Sequence, residues 1–175
     1  AKALEDLNVY WLEEPLPHHD FRGMARLREK TKVRIAGGEM NRRWHDVKEM
    51  SAIASLDVYQ PDAVLTGGIT GVKRIAGWVQ SKDTWFSPHT WSNGIGMMAN
   101  LHLTCAISKC PFIEFPYDPP AWTVERRDYM LRVEDRLMID NHGFLHIPDK
   151  PGLGCELDEE ALAQYTVTHM VAGGE

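Results

Sequence analysis

The stretch Val9-Tyr10-Trp11-Leu12-Glu13-Glu14-Pro15 decides how this chain is read. A short apolar run that stops at a proline reads as a buried strand. The two carboxylates at its exit must then be exposed, paired or bound to a cation, because an isolated buried charge is costly. One such ending carries little weight, so the question is whether it recurs. It does: "VRIAGGE" (33–39), "DVYQPDAVL" (57–65), "TWFSPH" (84–89) and "FIEF" (112–115) are further apolar runs with polar residues at their ends.

Helical patterns fill the intervals. Phe21, Met24, Ala25 and Arg28 fall at helical spacing behind Asp20, a residue suited to capping. Val47, Met50, Ile53 and Ala54 share a face, as do Val72, Ile75, Ala76 and Val79, and then Met97, Leu101 and Cys105. Only the "FIEF" run leads into proline-rich sequence instead of a helix. Strands that alternate with helices indicate βαβ units and a parallel sheet. From Arg132 to Pro148 an apolar-polar alternation broken by Asn141-His142-Gly143 predicts a hairpin or an irregular extension. Asp158 to Tyr165 reads as a short capped helix.

Composition bounds the function. The 175 residues are 25% charged and 43% hydrophobic, which is ordinary for a globular domain. A net charge of −6 with no basic stripe speaks against nucleic acid as a partner. No apolar run approaches the roughly 18 residues of a membrane span. Cys105, Cys110 and Cys155 have no metal-finger spacing and read as free, buried thiols of a reducing, cytoplasmic setting. The opening "AKALEDLNVYW" reads as the end of a helix that runs straight into a strand, so a preceding part of the protein is expected.

The polar strand endings are Glu13, Glu39, Asp62, His89 and Glu114, separated by 26, 23, 27 and 25 residues. Such a step accommodates one strand, one helix and two loops. In a TIM-type (β/α) barrel the C-terminal ends of successive strands converge on one mouth, where active sites lie. Two carboxylates on adjacent strands suit a hard divalent cation, and oxygen-only ligation points to magnesium. A carboxylate beside an imidazole fixes its tautomer and makes it a better general base. Metal plus base suggests removal of a proton next to a carboxylate, through an enediolate.

"WLEEP", "IAGGE", "QPDAVLTGGITG", "SPH" and "FIEF", in this order and spacing, resemble the mandelate racemase-like branch of the enolase superfamily. The resemblance spans nearly the whole chain. It implies an α/β fold, with 1–130 as a partial (β/α) barrel (about strands 4–8 of a (β/α)7β barrel) and 131–175 as a C-terminal extension. It implies that Glu13 and Glu39 bind Mg2+, with Glu14 as the rival of Glu13. It implies that Asp62 and His89 form the base dyad, and that Glu114 binds the substrate carboxylate. His19 matches a family "HD" pair but equally suits a helix start. Thr90 and Trp91 either line the substrate pocket or shape the loop. Gly67, Gly68 and Gly71 read as a tight turn, and Met97 and Met98 as packing.

The family's third acidic ligand, its Lys-bearing strand and its N-terminal capping domain have no counterpart in this sequence. A whole barrel takes about 250 residues, so part of a larger protein is expected. The resemblance implies a sugar acid as the small carboxylate-bearing substrate, dehydration to a 2-keto-3-deoxy acid, a role in carbohydrate acid catabolism and a homo-oligomer. Racemisation, epimerisation or cycloisomerisation are alternative outcomes of the same enediolate, and a non-catalytic partial barrel is the reading from another class.

Overall fold

A computed structural model describes residues 1–169. After a short helix α1 (Lys2–Asp6), four strands alternate with helices: β1 (Trp11–Glu13), α2 (Phe21–Arg28), β2 (Arg34–Gly37), α3 (Trp44–Ala52), β3 (Val58–Tyr59), α4 (Gly68–Gln80), β4 (Trp85–Phe86) and α5 (Gly94–Cys105). The strands pair in chain order, β1-β2-β3-β4, and every pairing is parallel. The register sets Glu13 beside Ala36, Ala36 beside Val58 and Val58 beside Trp85. Parallel neighbours need a crossover, and here each crossover contains a helix.

Alternation along each strand sends one side chain to the helices and the next to the other face. Leu12, Ile35, Tyr59 and Phe86 lie in the core with Met24, Val47, Met50, Val72, Ile75, Ala76 and Val79. The helix faces read from the sequence hold at Val47, Met50, Val72, Ile75, Ala76 and Val79, all buried. They fail at three residues. Helix α3 stops at Ala52 because Ser55 folds back, donating from both its amide and its hydroxyl to the Met50 carbonyl. Ile53 is thereby turned to solvent, and Ala54 takes a positive φ of 51°. Cys105, at the end of α5, is likewise exposed, whereas Met97 and Leu101 are buried.

Asp57 holds the N-terminal edge of the sheet. One carboxylate oxygen accepts from Arg28 Nε at 2.6 Å, the other accepts from the Ile35 amide at 2.9 Å, and its carbonyl accepts from the Trp85 amide at 2.9 Å. One residue therefore fastens α2, β2 and β4 to the start of β3.

The fifth expected strand is not formed. Phe112–Phe115 carries no regular structure between Pro111 and Pro116; this stretch is linked to β4 through the Phe86 amide on the Lys109 carbonyl and Ser87 Oγ on the Phe112 carbonyl. A proline at each end removes the donors that would extend a ladder in either direction. The cysteines are free, as expected, but none is buried: Cys110 and Cys155 are half-buried. Burial still pushes the Cys110 thiol up to about 11, which leaves it protonated and unreactive at neutral pH. Among the described residues, no helix is long and apolar enough to cross a membrane.

Contacts divide the chain into two units, one holding Ala1–Trp91 and Ala99–Phe115, the other Ser92–Met98 and the chain from Pro116 on. The second unit contains α6 (Val124–Arg127), a 3-10 turn (Val133–Asp135) and α7 (Glu159–Tyr165). Asp158 caps α7 by accepting from the Ala161 amide at 3.0 Å, as its position in the sequence suggests. Residues 132–148 form the irregular extension rather than a paired hairpin, turned by Asp140, whose carboxylate accepts from the His142 and Phe144 amides.

The second unit is organised around a buried ion pair. Arg127 and Asp128 are 0% and 1% exposed, and Arg127 Nε and Nη2 each meet an Asp128 oxygen at 2.6 Å. Arg127 Nη2 also donates to the Leu137 carbonyl at 2.9 Å, and the Leu137 amide returns a bond to Asp128. Removing one partner strands the other charge in the interior. Asp128→Ala is expected to cost about 3–5 kcal/mol, read as a lower denaturant midpoint for this unit; a loss under about 1 kcal/mol, as for an exposed pair, would contradict the account.

Candidate active site

The parallel register carries the polar strand endings to one edge of the sheet. Glu13 is the last residue of β1, and its side chain lies on the face opposite Leu12 and the helical core. Its Oε2 accepts from Gln60 Nε2 at 2.9 Å, which joins the exit of β1 to that of β3. Glu14 goes elsewhere. At a φ of 38° it turns back over β2, where its Oε1 accepts from the Gly38 amide at 3.4 Å and its Cγ lies close to Gly37. The rivalry between the two glutamates thus has a geometric counterpart: Glu13 faces Gln60, whereas Glu14 braces the glycine turn.

That turn delivers Glu39. Gly38 has a φ of +104°, a region that side chains other than glycine enter at a cost. Glu39 emerges half-buried beside His89, with Oε2 3.7 Å from Nε2. Burial raises its carboxyl above the ordinary carboxylate range. His89 opposes this, while the nearby carboxylates of Glu14, Glu13 and Glu114 add to it. Three other carboxylates are therefore near enough to act on this position.

Asp62 follows β3 and is 1% exposed. Its Oδ2 lies 3.0 Å from His89 Nδ1, and its Oδ1 accepts from the Val64 amide at 2.7 Å and from Asn100 Nδ2 at 2.8 Å. Burial pushes its carboxyl up, but the hydrogen bonds from His89, Asn100 and Val64 outweigh it and leave the group below its usual range. His89 is shifted the other way. The hydrogen bond to Asp62 raises its proton affinity against burial, and Glu39 and Glu114 raise it further. With Asp62 ionised and accepting, the neutral ring carries its proton on Nδ1 and leaves Nε2 as the basic nitrogen.

Glu114 lies beyond the sheet proper, yet the loop after β4 captures it. Its Oε2 accepts from the Thr90 amide at 2.7 Å, and its carbonyl accepts from the Thr90 hydroxyl. Thr90 is fully buried in this contact, whereas the adjacent Trp91 is 48% exposed. His19 is exposed at the turn before α2, its ring edge-on to His18 at 5.2 Å, and forms no hydrogen bond with the other candidates. The structure therefore groups Glu13, Glu39, Asp62, His89 and Glu114, adds Thr90 through its bonds to Glu114, and leaves His19 outside.

A cavity of about 530 Å³ opens beside the group, lined by Tyr10, Trp11, Glu13, Gln60, Phe112 and Glu114 among others. Its apolar wall is an edge-to-face cluster in which Tyr10, Trp11 and Phe112 have ring centroids 5.4–5.9 Å apart. Two further polar residues belong to the site, Gln60 through Glu13 and Asn100 through Asp62. Gln60 could have been found, since it is a polar residue at a strand exit two positions before Asp62. Asn100 sits mid-helix in the apolar run "GMMANLHL", and nothing local marks it.

A family model described as enolase C-terminal domain-like matches residues 1–161. The chain is 31% identical to a D-xylonate dehydratase of Haloferax volcanii, over 99% of this chain and 39% of that protein. It is 31% identical to a D-galactonate dehydratase of Pectobacterium atrosepticum, over 93% of this chain and 42% of that protein. Among solved structures it resembles the 3,6-anhydro-D-galactonate cycloisomerase from Zobellia galactanivorans, with a TM-score of 0.83 and 32% identity, covering 94% of this chain and 45% of that one. The chain thus spans about two fifths of the length of the curated relatives.

The glycine turn before Glu39 gives a test of how the site is held. A Cβ at Gly38 would meet its nearest atom, Met50 Cε, at 3.6 Å, so the position has room and the obstacle is its φ. Gly38→Ala is expected to destabilise the fold by about 1–2 kcal/mol, measured by urea unfolding; an unchanged midpoint would show that the positive φ is not required.

Proposed function

Because the chain belongs to the enolase C-terminal domain-like family, in its mandelate racemase-like branch, we propose that it carries part of the active site of a magnesium-dependent sugar-acid dehydratase. The observation that carries the reading is the His89–Asp62 pair, 3.0 Å apart, with the Nε2 edge of the ring turned toward Glu39. An imidazole anchored by a buried carboxylate is a strong general base, and here its Nε2 faces Glu39.

The donor set fits magnesium in kind. Glu13 and Glu39 offer oxygens alone, and Glu39 is raised by burial and by neighbouring carboxylates, a crowding that a hard cation relieves. Among the described residues no three His, Cys, Asp or Glu side chains form a ready cage. Two carboxylates agree with the habit of magnesium, which keeps water and substrate in its shell. Magnesium held by Glu13 and Glu39 would offset the charge that builds on the substrate carboxylate.

The chain's own residues would then act as follows. His89 Nε2 takes the proton from the carbon next to the carboxylate, and the C–H electron pair moves into that carboxylate to give an enediolate. Asp62 stabilises the imidazolium that results. The β-hydroxyl then leaves with the proton that His89 returns, so one water is lost and the enol tautomerises to a 2-keto-3-deoxy acid. Glu114, held by Thr90 and lining the cavity, is the residue that meets the substrate carboxylate. The names of two relatives, D-xylonate and D-galactonate dehydratase, support a sugar acid as substrate. Cycloisomerisation is the second reading, favoured by the resemblance to the 3,6-anhydro-D-galactonate cycloisomerase.

The test uses the full-length protein with D-xylonate and D-galactonate, and scores formation of 2-keto product and exchange of the α-proton in deuterium oxide. His89→Asn is expected to abolish exchange while magnesium affinity stays the same, and Glu39→Gln to weaken magnesium binding. Undiminished exchange in His89→Asn would overturn the assignment of the base. Exchange without dehydration would favour the cycloisomerase reading.

A further inference from the structure

Asn100 is 0% exposed, and its amide is spent on the loops that carry the dyad. Nδ2 donates to Asp62 Oδ1 at 2.8 Å and to the His89 carbonyl at 3.2 Å. Oδ1 accepts from the Ala63 amide at 3.0 Å. Only one orientation of the amide satisfies this set, because the flipped form would press its oxygen against two other oxygens. A helix of the crossover layer thus reaches the exits of β3 and β4 with one side chain.

We propose that Asn100 is the positioning residue of the Asp62–His89 pair, fixing which carboxylate oxygen faces the imidazole and where the imidazole stands. The carboxylate has two oxygens to distribute. The Val64 amide and Asn100 take Oδ1, so Oδ2 is the oxygen turned to His89 Nδ1. The His89 main chain is held on both sides, its amide by the Gln60 carbonyl at 3.3 Å and its carbonyl by Asn100. A carboxylate fixed by one amide could rotate about its χ2, and the proton on Nδ1 would lose its acceptor. Asn100 touches no reacting atom and acts through Asp62 and His89. Aspartate at this position would keep the shape but lose both donors and set a second negative charge beside Asp62.

The proposal rests on His89 being the base, and the experiment separates the two. In the full-length protein, Asn100→Ala and Asn100→Asp are expected to slow α-proton exchange by about 100-fold, the scale of a reacting group misplaced by an ångström, with KM little changed. In the His89→Asn background, Asn100→Ala should add no further loss, since its effect passes through the dyad. Ser55→Ala is the control: Ser55 is equally buried but lies before β3, so its loss should lower the melting temperature and leave exchange intact. If His89→Asn keeps full exchange, the reading of the base fails. If His89→Asn abolishes exchange while Asn100→Ala retains the wild-type rate, the proposal for Asn100 alone fails. A crystal structure of Asn100→Ala decides without substrate: the Nδ1–Oδ2 contact should open beyond hydrogen-bond distance, and a contact still at 3.0 Å would overturn the positioning role.

Discussion

Parallel pairing in chain order is the constraint on which the first unit depends. A parallel ladder admits no tight hairpin, so every strand must be followed by a crossover that returns the chain to the same edge. The crossovers here are helices, and their apolar faces cover Leu12, Ile35, Tyr59 and Phe86. It follows that all four strands leave the sheet in the same direction. Four separate exits, plus the segment at 112–115, then sit where polar side chains can meet. At the opposite edge Asp57 binds Arg28 and the Ile35 and Trp85 main chains, so the starts of the strands are fixed as firmly as their register.

The electrostatics of the site follow from this crowding. Carboxylates brought to adjacent exits repel one another, and burial adds to the cost; both act on Glu39. The molecule answers differently at each position. The charge of Asp62 is stabilised locally, by His89, Asn100 and the Val64 amide. Glu114 is capped by Thr90, and Glu13 by Gln60. Glu39 has the His89 edge at 3.7 Å, too far for a hydrogen bond.

Much of this was legible in the sequence, for a definite physical reason. Strand, turn and helix occupy similar lengths in each unit of a parallel sheet, so Glu13, Glu39, Asp62, His89 and Glu114 recur at near-constant intervals. Helix faces were legible where the period runs uninterrupted, as at Val72, Ile75, Ala76 and Val79. Ile53, Ala54 and Cys105 were not, because they lie at or beyond helix ends, where the helical period no longer governs which way a side chain points. The strand expected at "FIEF" is not formed, because apolar content is visible in a sequence and the partners of a backbone are not. Asn100 was invisible for a further reason: its partners lie 38 and 11 residues away and belong to loops, so no periodicity points at it.

The spans of the site's bonds bear on when the site comes into being. Gln60 to Glu13 bridges 47 residues, Asn100 to Asp62 bridges 38, His89 to Asp62 bridges 27 and Thr90 to Glu114 bridges 24. None of these can form within one strand-helix unit. Each requires at least one loop closure to be complete, and such closures carry an entropic cost that long-range contacts recover only late. The dyad therefore exists only in a chain whose crossover between β3 and β4 is already closed, and a β3 exit without β4 beside it carries a carboxylate but no base.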